Sequence, residues 1–151
     1  MTALGDLRVG AELPPLVRGP LTPLHLMRFS AAIENWHRIH YDERFAVEHD
    51  GLPGLLVSGS WKQHLVAQML RAWAGPDGWM SRLELQFRRM NVAGDTLTAW
   101  GRIAELDEAG GVAVVRCDVG IRDAHGTESS PGRATCLLAL PGGPPARPGV
   151  A

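Results

Sequence analysis

Eight residues, Asn35-Trp-His37-Arg38-Ile-His40-Tyr-Asp42, gather two imidazoles, a carboxamide, a guanidinium and a carboxylate. Shortly after them comes Gly51-Leu-Pro-Gly54-Leu-Leu-Val-Ser58-Gly59-Ser60, which leads into a long helical pattern. Histidine is the side chain that titrates near neutral pH without special tuning. A helix that begins with Ser-Gly-Ser turns open backbone N–H groups and the positive end of its dipole toward an anion. A proton-transfer group beside such a helix start suits chemistry on a carbonyl compound. Adding water across a double bond conjugated to a thioester is one example, because it needs an acid/base group and donors for a developing enolate oxygen.

The elements that must hold these residues follow from periodicity and caps. Pro14, Pro15 and Pro20 within the first 20 residues suit an irregular edge strand or extended arm. Thr22 and Pro23 open a helix whose Leu24, Met27, Ala31 and Ala32 define one face as far as about Glu34, so the motif lies just past its end. A short helical turn over 42–48 is expected with Asp42 as its cap. The longest helix is expected over 60–74, with Trp61, Leu65, Met69 and Trp73 as core or interface and Gly75-Pro76-Asp77-Gly78 as its stop. Four alternating runs follow, around Leu83 to Phe87, Leu97 to Leu106, Val115 to Ile121 and Arg133 to Leu140, with a hairpin signal at Gly110-Gly111. Helices first and strands afterwards predict an α+β domain with a curled antiparallel sheet around one long helix.

This arrangement resembles the hotdog fold, and the residues resemble the MaoC-like acyl-thioester hydratases and dehydratases more narrowly. Ile39-His40-Tyr41-Asp42 matches the second half of that family's Asp-x-Asn-Pro-aliphatic-His pattern. Ala46 follows at a suitable distance, and Gly59 matches the glycine at the head of the central helix. Val92-Ala-Gly94-Asp95-Thr96-Leu97 is similar to the family's turn into a strand. The resemblance spans residues 20 to 140. Departures are Asn35 at the aspartate position, His37 at the asparagine, Arg38 at the proline, and Ser58 where a histidine precedes the helix-head glycine. Asn-x-His-Arg-Ile-His-Tyr-Asp with Pro-Gly-Leu-Leu-Val resembles the branch containing mesaconyl-C4-CoA hydratase and related 3-hydroxyacyl-thioester dehydratases.

The resemblance implies that His40 is the catalytic acid/base; the alternative is a buried histidine bonded to a backbone carbonyl. Asn35 exchanges no proton, but its amide can hold a water or the substrate hydroxyl against His40. Its alternative is to close the preceding helix. Gly59 offers a backbone N–H for the thioester oxygen, with Ser58 and Ser60 as further donors or as plain N-caps. His37, Asp42 and Arg38 are possible helpers; Asp42 also reads as a cap and Arg38 as a surface or phosphate-pairing arginine. His25, His49 and His125 read as solvated, and His64 as a helix-surface or subunit-contact residue.

Composition bounds the rest. The 151 residues suit one domain over 1–140, with a Pro/Gly-rich, disordered tail over 141–151. A hydrophobic content of 45% marks a globular chain, and a formal charge of -1 gives no basic field for nucleic acid or anionic membranes. Cys117 and Cys136 lie in apolar alternating runs without metal-ligand spacing and read as reduced core residues. With no signal-peptide pattern and no spanning run, a cytoplasmic chain is expected. The resemblance implies no metal and no cofactor beyond the coenzyme A or phosphopantetheine carried by the substrate. It also implies a partner, as a homodimer or a heteromer with a second hotdog chain. The function expected is hydration of a 2-enoyl thioester or dehydration of a 3-hydroxyacyl thioester. The rivals are a non-catalytic hotdog subunit of a heteromeric hydratase and a hotdog thioesterase.

Overall fold

The computed structural model describes residues 7–146; residues 1–6 of the expected arm and residues 147–151 of the expected tail lie outside the described residues. Strand β1 (Leu16–Arg18) leads into helix α1 (Pro23–Ala32). Thr22 and His25 form a reciprocal cap: the Thr22 hydroxyl accepts from the His25 N–H at 3.4 Å, and His25 Nδ1 accepts from the Thr22 N–H at 3.1 Å. His25 is thus a helix cap rather than only a solvated side chain. At the far end of α1, Glu34 adopts φ 54° and turns the chain out of the helix.

Helix α2 (Gly59–Ala74) starts one residue before the sequence expectation, capped by Ser58, and ends at Gly75 with φ 76°. Leu65, Val66, Met69, Leu70 and Trp73 bury one face of it, and Trp61 is half-buried. Strands β2 (Trp79–Leu85), β3 (Leu97–Ala109), β4 (Val112–Arg122) and β5 (Glu128–Ala139) complete one antiparallel sheet of order β1-β3-β4-β5-β2. Its inner face packs on α2. Along β4 the alternation is borne out, since Val115, Cys117, Val119 and Ile121 are all buried. The β3–β4 hairpin turns at Gly110 and Gly111, with φ 60° and 79°, the backbone that two-residue turns require. Cys117 and Cys136 are free and buried, and burial pushes each thiol up to about 12, which keeps them unreactive.

Two strand boundaries differ from the sequence pattern. β2 ends at Leu85, although Gln86 N–H to Pro131 O and Arg88 N–H to Ser129 O carry the pairing past Phe87, and the chain leaves the ladder where Arg89 N–H converges on the same Ser129 O. β5 begins at Glu128, well before Arg133. Ser130-Pro131-Gly132 has the composition of a turn, yet it pairs with Ile121, Gly120 and Val119 of β4 in the interior of the sheet. Among the described residues no helix is long and apolar enough to cross a membrane.

Candidate active site

After α1 the chain makes a tight loop that ends on His40. Asn35 N–H closes the helix onto Ser30 O at 2.9 Å, Arg38–His40 form a single 3₁₀ turn, and the Tyr41 hydroxyl donates to Trp36 O at 2.8 Å. The loop is then pinned to the segment entering α2 by Leu56 N–H to Ile39 O at 2.9 Å. His40 itself is 7% exposed, and its Nδ1 lies 2.8 Å from Leu56 O. A carbonyl only accepts, so Nδ1 carries the proton and Nε2 is left with its lone pair. Of the two readings of His40, the bond to a backbone carbonyl is the one seen here, and in the neutral ring that bond fixes the tautomer.

Asn35 is half-buried, and its Oδ1 accepts from the His37 N–H at 3.2 Å, so its acceptor is occupied and its amide NH₂ is the group with donors to offer. The His37 and His40 ring centroids are 6.1 Å apart, although His37 is exposed. Arg38 and Asp42 instead pair with each other at 2.7 Å, and Arg38 lies over the Phe45 ring at 4.3 Å. Asp42 Oδ1 also accepts from the Phe45 N–H at 3.0 Å, capping the helical turn that begins at Glu43 and runs into the π-helix Phe45–His49. That backbone N–H first, and Arg38 second, hold the Asp42 carboxyl below its ordinary value.

At the head of α2, Ser58 Oγ accepts from the Trp61 N–H at 3.2 Å and Ser58 O from the Lys62 N–H at 3.3 Å. The Gly59 and Ser60 N–H groups remain as the open donors of the first turn among the described residues. Ser58 Oγ lies 3.3 Å from Ser60 Oγ. A Cβ at Gly59 would meet the Phe87 ring at 2.8–3.0 Å, so the missing side chain makes room for an aromatic ring that overlies the helix head.

Lys62 was not singled out in the sequence. It is 2% exposed, donates from Nζ to Arg89 O at 2.8 Å, and is lowered to about 8 by burial, with Asp95 acting the opposite way. The signal was its position, since Lys62, Val66, Met69 and Trp73 share the apolar stripe of α2. Asp95 Oδ2 accepts from Asn91 Nδ2 at 3.0 Å and Val92 N–H at 3.1 Å, and Asn91 O accepts from Val57 N–H at 2.8 Å. The 89–95 segment is therefore fastened both to α2 and to the residues beside Leu56.

A loop histidine with an oriented lone pair, held against the residues that enter a helix with open N–H donors, is the geometry at hand. The family described as hydroxyacyl-thioester dehydratase type 2 matches residues 16–95, from β1 through the loop and α2 to the turn before β3. The chain belongs to this family. Mesaconyl-C(4)-CoA hydratase of Chloroflexus aurantiacus is 42% identical to it over 66 residues, covering 40% of this chain and only 23% of that relative. A structure of the ChsH1-ChsH2 complex from Mycobacterium tuberculosis contains a chain with TM-score 0.76 and 23% identity, covering 87% of this chain and 98% of that one. The MaoC-like dehydratase from Rhodospirillum rubrum gives TM-score 0.78 at 19% identity, covering 91% and 97%. The fold seen here is the α+β hotdog architecture, a curled antiparallel sheet around one long helix, which those two structures share.

Proposed function

We propose that this chain is a hydratase or dehydratase that interconverts a 2-enoyl thioester and a 3-hydroxyacyl thioester, carried on coenzyme A or a carrier protein, with His40 as acid and base. The observation that carries this reading is the 2.8 Å contact of His40 Nδ1 with Leu56 O, which leaves Nε2 as an oriented base at the entrance to α2. In the hydration direction a water donates to Nε2 while the Asn35 amide N–H groups hold its oxygen. The oxygen forms a bond to the β-carbon as Nε2 takes the proton, and the π electrons move to the thioester oxygen. The Gly59 and Ser60 N–H groups hold that oxygen as it gains enolate charge, aided by the helix dipole. The imidazolium then returns its proton to the α-carbon. The scheme needs no metal or redox group. A partner fits it, either a second copy or a different hotdog chain.

A second reading, a hotdog subunit that turns over only with a partner chain, is favoured by Asn35, whose carboxamide exchanges no proton and whose Oδ1 is already engaged by His37.

Loss of the conjugated enoyl absorbance of crotonyl-CoA and mesaconyl-CoA tests the assignment. Turnover by the wild type, reduced by roughly 10²- to 10⁴-fold in His40→Ala, is expected. Turnover that His40→Ala leaves intact removes His40 from the mechanism. No turnover until a copurified hotdog chain is added moves the reading to the second one.

A further inference from the structure

Lys62 is a buried cation that the proposed reaction does not use. It is 2% exposed and lies in the first turns of α2, where the helix dipole already disfavours positive charge. Leucine or methionine would continue the stripe of Val66, Met69 and Trp73 with no ammonium to desolvate. What the lysine adds is a charged donor, aimed at Arg89 O at 2.8 Å.

From that carbonyl the route to His40 is short and runs through backbone. Residues 55–57 lie between the His40 loop and residues 91–93, bonded on both sides. In the Leu55–Leu56 peptide unit the N–H donates to Ile39 O at 2.9 Å, and the C=O accepts from the Ala93 N–H at 2.9 Å. In the Leu56–Val57 unit the N–H donates to Asn91 O at 2.8 Å, and the C=O accepts from His40 Nδ1 at 2.8 Å. A peptide unit is planar and trans, so holding its N–H from one side aims its C=O toward the other. Asn91 O therefore sets where the acceptor of His40 points.

Residues 91–93 are in turn held at both ends. On the far side Asp95 Oδ2 accepts from Asn91 Nδ2 and from the Val92 N–H, and Leu21 bonds both Gly94 and Asp95 through its backbone. On the near side the chain leaves the sheet at Arg89, two residues before Asn91, and there the Arg89 carbonyl meets Lys62 Nζ. Lys62 stands one helical turn beyond Gly59, so the histidine and the open N–H groups are both referred to the first turns of α2.

We propose that Lys62 is a positioning residue for His40: its bond to Arg89 O holds the segment whose Asn91 carbonyl orients the Leu56–Val57 peptide, and that peptide fixes the His40 tautomer and ring. The consequence for turnover rests on the hydratase reading above, whereas the consequence for the ring does not.

The test is ¹⁵N NMR of the full chain labelled at its six histidines, at about pH 7.5, where an ordinary imidazole is mostly neutral. The His40 signals are assigned by their loss in His40→Gln. In the wild type, Nδ1 is expected to resonate as a protonated ring nitrogen and Nε2 as an unprotonated one. In Lys62→Met the two are expected to move toward each other, as the ring begins to exchange between tautomers. Asn91→Ala breaks the same route at a second point and is expected to do likewise, and the double variant is expected to be no worse than the poorer single one. Val66→Ala, on the same stripe, is the control for general destabilisation, expected to lower the melting temperature and leave both His40 signals in place. With crotonyl-CoA, Lys62→Met is expected to lose roughly ten- to a hundredfold in kcat with little change in KM. His40 signals that Lys62→Met leaves unmoved, or that Val66→Ala moves equally, overturn the proposal, as do losses that add in the double variant. Signals that move as expected in a chain whose wild type hydrates no enoyl ester keep the positioning role and remove the hydratase reading. Hydration that depends on His40 while its signals ignore Lys62 does the reverse.

Discussion

At Asn35 the chain carries an amide where shared proton transfer would call for a carboxylate, and substitution separates the two possible consequences. If Asn35 holds the water through its NH₂ group while His40 alone moves the proton, Asn35→Ala lowers kcat by between about ten- and a hundredfold with a smaller change in KM. Asn35→Asp then keeps the geometry but adds a titrating group, and the pH profile of kcat gains a limb in the carboxylate range. Profiles of wild type and Asn35→Asp that superimpose would show that residue 35 does not touch the proton path. At this scale the motif was legible because its residue types carry chemistry. The loop histidine and the Asp42 cap were each readable from type and position. What the sequence left open were partners: the Arg38–Asp42 pair withdraws two candidate helpers into an ion pair of their own, and nothing in their spacing required it. Lys62 was missed for a related reason, since a lysine ordinarily reads as solvated and only the fold shows it inside.

The helices and the β3–β4 hairpin were visible because local signals and tertiary packing agree there: Thr22-Pro23, Ser58 and Gly75 all sit at element ends, and Gly110-Gly111 at a turn. β5 was read short because Ser130-Pro131-Gly132 has turn chemistry, overridden by pairing to β4. Lys62 makes the element scale testable. Its ammonium is doubly disfavoured, by burial and by lying in the first turns of α2, where the dipole is positive. Its folded value of about 8 lies below its ordinary 10.5, so between these two values the unfolded chain binds more protons and stability rises with pH. The melting temperature of wild type relative to Lys62→Met is therefore expected to climb from pH 7 to pH 10. Parallel curves would mean that Lys62 reaches solvent and titrates normally. Because the bond from Lys62 to Arg89 O also fastens the segment that holds Val57, the same variant is expected to lower kcat more than it changes KM.

On the scale of the whole molecule the site and the sheet edge are one continuous feature. β2 forms one edge of the sheet, and Trp79 at its start and Phe87 and Met90 just beyond it are 41%, 53% and 58% exposed. An uncapped edge beside exposed apolar side chains is a surface that pairs with another chain. Phe87 also lies against Gly59, so whatever covers the edge fixes the ring above the candidate oxyanion donors. Association and catalysis should then fall together. In light scattering, the wild type is expected to run as a dimer, or with a hotdog partner, and to show a melting temperature that rises with concentration. Trp79→Arg places a charge at the edge but away from Gly59, and is expected to weaken association. Its loss of turnover should be restored by raising the protein concentration. Phe87→Arg is expected to lower turnover even in the associated form, since it removes the ring over the helix head. A Trp79→Arg protein that is monomeric and fully active would place the complete site within one chain and confine the exposed edge to solubility or to other partners.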